Sequence, residues 1–186
     1  MNAESSLKYY PLWWRFSREI KFEGEGFFKV QKGSRFRVRS DYGKTMVLGT
    51  SFNIYSRDND YKVTCLTGRV RVVSKAKEKV VLNPKDHAEI GVNGRIGVQN
   101  NYNTNESTAW MNNMFIFTSE SISNVFREIE RQYDVSIHMG SNLDFQYSGY
   151  FSKEKSIDDV LSLICKPFGL IFEKRADDTY IITQFD

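Results

Sequence analysis

The chain has 186 residues, of which 40% are hydrophobic, 26% are charged and only three are proline, which is typical of a folded globular protein. No apolar run approaches the ~18 residues that a membrane span requires. No basic-then-apolar leader opens the chain, so any targeting signal is expected upstream of it. The two cysteines, Cys65 and Cys165, lie far apart and are predicted to be small buried apolar residues rather than a disulfide or a zinc site.

Charge is distributed unevenly along the chain. Residues 1–110 contain 19 Lys and Arg against 11 Asp and Glu, whereas residues 111–186 contain 7 against 12. This shift in composition predicts a domain boundary near Trp110.

Residues 1–98 predict an all-β domain, an antiparallel sandwich or barrel. Short alternating runs are separated by turn residues about every ten positions, and Asn93-Gly94 indicates a two-residue hairpin. The segment 2–10 is strand-like but has no obvious partner, so we expect the domain to be truncated at its N-terminus. The predicted inward side chains are Phe36, Val38, Met46, Leu48, Phe52, Ile54, Val63, Cys65, Val70 and Val72.

Residues 99–109 are polar and Asn-rich, which predicts a linker, and residues 110–186 predict a small α+β domain. The sequences SISNVFREI (121–129) and SIDDVLSLI (156–164) repeat one pattern with helical spacing of the apolar residues. Each repeat lies between short apolar runs. The predicted order is therefore β-α-β-β-α-β-β, a split βαβ arrangement on one small sheet.

Local signals fix the ends of the second helix and the last hairpin. The run Ser156-Ile157-Asp158-Asp159 fits a capping box, with Asp159 reaching back to the amides of the first turn. Gly169 follows a proline and predicts the end of the helix, and Asp177-Asp178 predicts the turn of a terminal hairpin.

Acidic and glycine motifs in the first domain do not predict catalysis. Gly24-Glu25-Gly26 lacks the third glycine and the helix of a dinucleotide loop. Glu23 and Glu25 could form a glycosidase-like pair on one strand face, but solvated strand charges are the favoured interpretation.

Metal-binding and nucleophilic motifs are equally weak. His87 and His138 have no second ligand at useful spacing, and Asp58-Asn59-Asp60 is more typical of a hairpin turn than of a calcium loop. No nucleophile elbow occurs. We therefore predict no catalytic residue, no metal and no cofactor.

Arginines alternate on one predicted strand at Arg35, Arg37 and Arg39, with Arg69 and Arg71 on another. Such a face could bind nucleic acid, dock a protein or be simply solvated. Aromatic residues are not interleaved with the arginines, so the solvated face is favoured and no nucleic-acid partner is expected.

Several motifs, at their observed spacing, resemble the FecR family, the periplasmic parts of membrane-bound anti-sigma factors. The C-terminal half is similar to a domain of Bacteroidetes members that itself resembles the short N-terminal domain of secretins and TonB-dependent receptors. The chain departs from the family pattern at Gly26, where alanine is usual, and at Lys85, where glycine is usual. The motifs are NAESSLKYYP (2–11), GEGFFKV (24–30), FRV (36–38), VLGTSFNIY (47–55), VTCLTGRVRV (63–72), LNPKD (82–86) and WMNNMFIF (110–117).

The resemblance implies a non-enzymatic signalling module with protein partners and no small-molecule substrate. The signalling domain of a TonB-dependent outer-membrane transporter would contact its C-terminal domain. A cytoplasmic segment outside this chain would hold an extracytoplasmic-function sigma factor, and a single membrane helix outside the chain would anchor the protein in the inner membrane. An exposed sheet edge could accept a partner strand. Segments 146–151 and 178–183 are the candidates, with docking residues Tyr147, Ser148, Gly149, Tyr150, Phe151, Thr179, Tyr180 and Ile181.

An alternative function is an envelope glycan-binding module that uses exposed aromatic residues. Tyr9, Tyr10, Trp13 and Trp14 would be the candidates. The favoured interpretation of these four is strand core exposed only by truncation of the domain.

Overall fold

A computed structural model describes residues 1–140 and 143–184. The chain divides into two compact units, residues 1–108 and 109–186, each with its own apolar core. Segment 99–109, which was predicted to be a linker, contains the short helix α1 at Thr104–Thr108 and the start of a 3-10 turn at Ala109–Asn112. No helix in the described part of the chain is both long and apolar enough to cross a membrane.

Unit 1 is a ten-stranded, nearly closed β structure. Neighbouring strands pair in the order β10-β9-β6-β5-β2-β3-β4-β7-β8, and β1 also pairs with β2. All of these pairs are antiparallel except β2 with β3. The strands are β1 (Ser6–Tyr9), β2 (Arg18–Lys29), β3 (Phe36–Arg39), β4 (Gly43–Val47), β5 (Ser51–Arg57), β6 (Asp60–Thr67), β7 (Val70–Ser74), β8 (Lys79–Leu82), β9 (His87–Ile90) and β10 (Ile96–Gln99).

Strand β2 joins two halves of unit 1. Its residues 18–23 pair with β3 and β1, and its residues 24–29 pair with β5. Gly24 stands at the change, with φ of +108°, and a Cβ there would lie 2.6 Å from the Cα of Ser5. Only glycine fits both that backbone conformation and that close approach, so Gly24 lets one strand serve both halves.

The predicted inward register is wrong on β4. Thr45 and Val47 face the core, whereas Met46 is half-buried and Leu48 lies 62% exposed just after the strand. The Thr45 hydroxyl lies 2.7 Å from the Tyr61 hydroxyl, and this buried hydrogen bond makes a polar side chain an interior one. The alternation of apolar residues predicted the opposite register, because Met46 is apolar but lies on the outer face, between Arg37 of β3 and Arg71 of β7.

The β9–β10 hairpin forms as predicted, but its turn is longer than two residues. The Gly94 amide bonds to the Gly91 carbonyl oxygen, and the Gly91 amide bonds to that of Arg95. Of the two turn residues Asn93 and Gly94, only Gly94 has positive φ, at +75°. The Asn93 side chain instead accepts a hydrogen bond from the Arg95 amide.

Unit 2 follows the predicted element order, but its strands form two sheets instead of one. A two-stranded sheet pairs β11 with β13, and a three-stranded sheet has the order β12-β15-β14 with β12 parallel to β15. Each helix therefore connects a strand of one sheet to a strand of the other. The elements are β11 (Met114–Ser121), α2 (Ile122–Tyr133), β12 (Ser136–Met139), β13 (Gln146–Ser152), α3 (Ile157–Cys165), β14 (Leu170–Lys174) and β15 (Thr179–Gln184).

The two repeated segments form α2 and α3, and both helices begin in the same way. Ser121 and Ser156 are the N-caps, and each side chain accepts a hydrogen bond from the amide three residues later. Asp159 accepts a hydrogen bond from the Ser156 hydroxyl at 2.7 Å instead of reaching an amide. The buried helical residues are Ile122, Val125, Phe126 and Ile129 on α2 and Val160, Leu161, Ile164 and Cys165 on α3.

The predicted end of α3 at Gly169 and the predicted turn of the terminal hairpin are both confirmed. Gly169 takes the left-handed conformation with φ of +63° after a 3-10 turn at Lys166–Phe168. Asp177 and Asp178 have φ of +59° and +52° and close the β14–β15 hairpin. Two successive positive φ values are typical of a type I′ turn, whose twist matches that of the two strands it joins.

Candidate docking surfaces

Strand β15 is not a sheet edge. It pairs with β12 on one side and with β14 on the other, so its backbone has no room for a further strand. The expectation that segment 178–183 is an edge is therefore wrong. Local sequence could not reveal this, because the covering strand β12 lies some forty residues earlier and joins by parallel pairing.

Three other strands of unit 2 are edges protected against strand addition. On β12, the Ile137 amide donates a hydrogen bond of 2.7 Å to the Glu130 carboxylate of α2. On β11, the register shifts between Phe117 and Glu120, which places a bulge in the strand. Strand β14 carries charges, with Lys174 paired to Asp178 at 3.1 Å. Bulges, charges and covered amides are the usual means of protecting an edge.

Strand β13 carries none of these devices. Its seven residues, QYSGYFS, contain no charge and no proline, and its register opposite β11 is regular from Gly149 to Ser152. The Lys153 amide bonds to the Asn113 carbonyl oxygen, which fixes which residues point toward β11. By alternation, Ser148, Tyr150 and Ser152 direct their backbone groups away from β11.

The side chains of β13 also alternate between the core and the solvent. Tyr147 and Phe151 are buried in the unit 2 core, whereas Ser148 is exposed and Tyr150 is 78% exposed. The Ser148 hydroxyl accepts a hydrogen bond of 2.8 Å from the Ser119 amide at the bulge. Ser148 and Tyr150 thus combine exposed side chains with backbone groups that face the open edge of β13.

A glycine keeps β13 straight and well packed. A Cβ on Gly149 would lie 2.5–2.8 Å from the Tyr147 ring and hydroxyl, so that ring lies across the glycine backbone. Tyr147 also packs edge-on against Phe117, with ring centroids 6.0 Å apart. The buried side of β13 is therefore packed against the unit 2 core along the glycine as well as along its aromatic residues.

Glu23 and Glu25 do not form a pair of solvated charges. Glu23 is exposed, but Glu25 is buried and accepts hydrogen bonds from the Asn2 and Asn53 side-chain amides at 2.7 and 2.9 Å. The Glu25 carboxylate thereby ties the N-terminal segment to β2 and β5. Its burial was missed because the Asn2 and Asn53 donors are distant in sequence.

The histidines and cysteines lack the surroundings of a reactive site. No group of three or more potential ligands that could hold a metal occurs within residues 1–140 and 143–184. His87 bonds to the Thr64 hydroxyl at 2.8 Å and stacks on Tyr102, and burial lowers its pKa to about 4. Burial raises the pKa of Cys65 and Cys165 to about 11, so both thiols stay protonated.

Two of the alternating arginines, Arg37 and Arg39, lie in an ion-paired cluster on the outer face of β3. Glu19 lies 3.2 Å from Arg39, 3.7 Å from Lys44 and 4.0 Å from Arg37. Partial exposure of these side chains makes the pairs weak. This agrees with a solvated sheet face.

The four aromatic residues of the proposed glycan site separate into two groups. Trp14 packs against the core, edge-on to Phe36 with ring centroids 6.2 Å apart. Tyr9, Tyr10 and Trp13 are 53%, 78% and 66% exposed. Tyr10 and Trp13 lie in or beside the 3-10 turn Pro11–Trp13, so they are turn residues and not strand core.

The fold is that of a two-unit, β-rich protein whose second unit presents a bare strand edge. The sequence profile of the FecR protein matches residues 1–71, and that of the FecR C-terminal region matches residues 114–182. Together these two profiles cover most of the chain. The chain belongs to the FecR family of anti-sigma factors.

Solved structures agree with this assignment. Two crystal structures of a candidate anti-sigma factor from Parabacteroides distasonis ATCC 8503, at 1.65 and 2.50 Å resolution, superpose with TM-scores of 0.90 and 0.89. In both comparisons the identity is 27%, and the match covers 100% of this chain and 89% of the other. No curated protein matches the chain.

Proposed function

We propose that this chain is the periplasmic signal-receiving region of a single-pass inner-membrane anti-sigma factor. It relays the occupancy of a TonB-dependent outer-membrane transporter to an extracytoplasmic-function sigma factor and catalyses no reaction. Membership of the FecR family supports the regulatory role. The bare β13 edge supports docking of a partner protein on unit 2.

The docking geometry follows from the backbone of β13. A strand from the signalling domain of the transporter pairs with the backbone groups of Ser148, Tyr150 and Ser152, which point away from β11. Main-chain hydrogen bonds supply affinity, and the exposed Tyr150 ring supplies specificity. Ser148, Gly149 and Tyr150 contact the partner strand. Tyr147 and Phe151 are buried in the unit 2 core and support β13 from its inner face.

Calorimetry between the purified chain and the signalling domain of a transporter encoded in the same locus tests this proposal. We expect saturable binding by the wild-type chain. Tyr150→Pro removes an edge-facing amide and an exposed ring without removing a hydrogen bond to β11. It should weaken binding by about thirtyfold, the scale of one interface hot spot of ~2 kcal/mol.

Ile171→Lys on β14 is the matched control, because Ile171 is also exposed, at 48%, on another edge strand of unit 2. It should change the dissociation constant by less than about twofold. Unchanged binding by Tyr150→Pro would remove β13 as the docking edge, and absence of wild-type binding would remove the transporter as the partner.

A further inference from the structure

A short turn of unit 1 exposes an unusual concentration of apolar side chains. We define the aromatic loop as residues 9–17, which connect β1 to β2. Single exposed apolar residues are normal on a protein surface, but a contiguous group indicates an interaction site. Within this loop Tyr10, Leu12, Trp13 and Phe16 are 78%, 89%, 66% and 84% exposed.

The aromatic loop is held in one shape by its own backbone. The amides of Trp13 and Trp14 bond to the carbonyl oxygens of Tyr10 and Pro11, and the amides of Phe16 and Ser17 both bond to that of Trp13. Trp14 anchors the loop by packing edge-on between Tyr9 and Phe36, at 5.5 and 6.2 Å. The exposed side chains are therefore presented outward by an ordered turn.

Trp13 and Phe16 pack against each other on this surface. Their rings lie edge-on with centroids 6.4 Å apart, and both remain largely exposed to solvent. Exposed aromatic side chains of this kind are suited to the interface between water and a lipid bilayer.

The charges around the aromatic loop are basic. Residues 5–18 contain Lys8, Arg15 and Arg18 and no acidic residue. Arg18 donates a hydrogen bond of 3.2 Å to the Ser34 carbonyl oxygen and lies over the Trp14 ring. Its position beside the loop is thus fixed by contacts on both sides.

Neighbouring strands add to the positive charge. Arg37 reaches the loop through a 3.4 Å hydrogen bond from its guanidinium to the Ser17 hydroxyl. The first acidic residue after the loop, Glu19, is engaged by Arg37, Arg39 and Lys44. Three cations thus share the single carboxylate of Glu19, so this group keeps a net positive charge beside the aromatic loop.

We propose that the aromatic loop is a peripheral membrane-binding site that inserts shallowly into an anionic lipid surface. Tyr and Trp have an apolar body and a polar tip, which suits them to the boundary between headgroups and acyl chains. Phe16 and Leu12 supply apolar area, and the arginines attract lipid phosphates. A protein partner would need a complementary acidic surface with an apolar pocket, whereas an anionic bilayer provides both features without further design.

The site differs from the β13 edge in position, chemistry and partner. It lies in unit 1, binds by insertion and charge, and needs no backbone pairing, because the loop amides of Trp13, Trp14, Phe16 and Ser17 are already bonded. Lipid binding and transporter docking can therefore be tested, and can fail, separately.

Fluorescence of Trp13 with vesicles tests the proposal directly. The chain contains three tryptophans, so the emission of Trp13 is obtained as the difference between the full wild-type chain and its Trp13→Phe variant, with the anchor Trp14 left in place. With vesicles that contain phosphatidylglycerol, we expect a blue shift of its emission and quenching by brominated acyl chains. With phosphatidylcholine alone, affinity should fall by about tenfold or more, because each basic side chain near an anionic surface contributes about fivefold.

Variants separate the apolar and charged contributions. Sedimentation of the full chain with phosphatidylglycerol vesicles should lose most binding in the Leu12→Ser/Phe16→Ser variant and about fivefold in Arg15→Ala. Leu48→Ser and Val92→Ser, at positions 62% and 103% exposed elsewhere in unit 1, should keep wild-type binding. Circular dichroism should be unchanged throughout, because the substituted side chains are exposed.

Three results would overturn the proposal. One is wild-type binding that does not depend on phosphatidylglycerol. Another is an equal loss of binding in the Leu48→Ser or Val92→Ser controls. A third is a Trp13 blue shift without lipid that follows protein concentration in sedimentation, which would assign the aromatic loop to contact with a second copy of the chain.

Discussion

The two units differ in what their interiors are made of. Unit 1 buries nine polar or charged residues, whereas the described part of unit 2 buries no polar side chain other than those of tyrosine. The buried polar residues of unit 1 are Asn2, Glu25, Thr45, Thr50, Asn53, Ser56, Arg57, Thr64 and Ser74. Unit 1 thus adds buried hydrogen-bonding side chains to its apolar core, whereas the described interior of unit 2 consists of apolar side chains and tyrosines.

The two units should therefore differ in the kinds of substitution that lower their stability. A buried polar group is stabilising only while its partners remain, and removing one partner leaves the other without compensation. An apolar core instead responds to lost volume. Both units should respond to the removal of buried methyl and ring groups, and unit 1 should in addition be sensitive to polar substitutions and to pH.

The largest effect is expected from Glu25→Ala in unit 1. The change removes the carboxylate that accepts hydrogen bonds from Asn2 and Asn53, and we expect the unfolding free energy to fall by about 2–6 kcal/mol, because each buried donor that loses its acceptor costs about 1–3 kcal/mol. Urea denaturation followed by fluorescence measures it. Glu23→Ala, two residues away on the exposed face, should stay within about 0.5 kcal/mol. Equal effects of the two substitutions would contradict a buried polar network.

A cavity in unit 2 should have a similar or slightly smaller effect. Phe126→Ala should cost about 3–5 kcal/mol and Leu161→Ala about 2–5 kcal/mol, because the two side chains are 1% and 0% exposed. Leu163→Ala, at a position 44% exposed on α3, is the control and should cost far less. Denaturation midpoints of the three variants provide the comparison. A large loss at Leu163 would show that the outer face of α3 is also packed.

A smaller, pH-dependent effect is expected in unit 1. Burial lowers the pKa of His87 from 6.5 to about 4, so between these values the unfolded chain binds a proton that the folded chain does not. Stability is therefore full above pH 6.5 and falls as the pH drops toward 4, by up to about 3 kcal/mol.

Urea denaturation across this pH range measures the effect, and His87→Gln should flatten the profile. His138→Gln, at an exposed position of unit 2, is the control and should leave the profile unchanged. A wild-type profile that stays flat from pH 7 to pH 4 would contradict the neutral, buried state of His87.

The sequence predicts unit 2 better than unit 1, for a physical reason. The Ser121 and Ser156 caps, the helix end at Gly169 and the Asp177-Asp178 turn depend on residues within a few positions of one another. Helical periodicity also identified the buried faces of α2 and α3, because the spacing of apolar residues within one helix is enough to show which face is buried.

The errors about burial and sheet position depend on contacts between distant residues. Thr45 is interior because Tyr61 offers it a hydroxyl, and Glu25 is interior because Asn2 and Asn53 meet it there. Strand β15 became an internal strand because β12 joined it in parallel. On the docking surface, the aromatic pattern of β13 was visible in the sequence. The sequence did not show that β13 is the edge strand left bare, while β11, β12 and β14 carry a bulge, a covered amide and charges respectively, because that depends on sheet order.

The double membership of β2 affects how unit 1 could carry a signal. Residues on either side of Gly24 belong to one continuous strand, yet they hydrogen-bond to β3 on one half and to β5 on the other. The two halves also contribute to one apolar core, which includes Ile20 and Phe22 from β2, Val38 from β3 and Phe52 from β5. We therefore expect the halves of unit 1 to unfold together, because each shares both a strand and a core with the other.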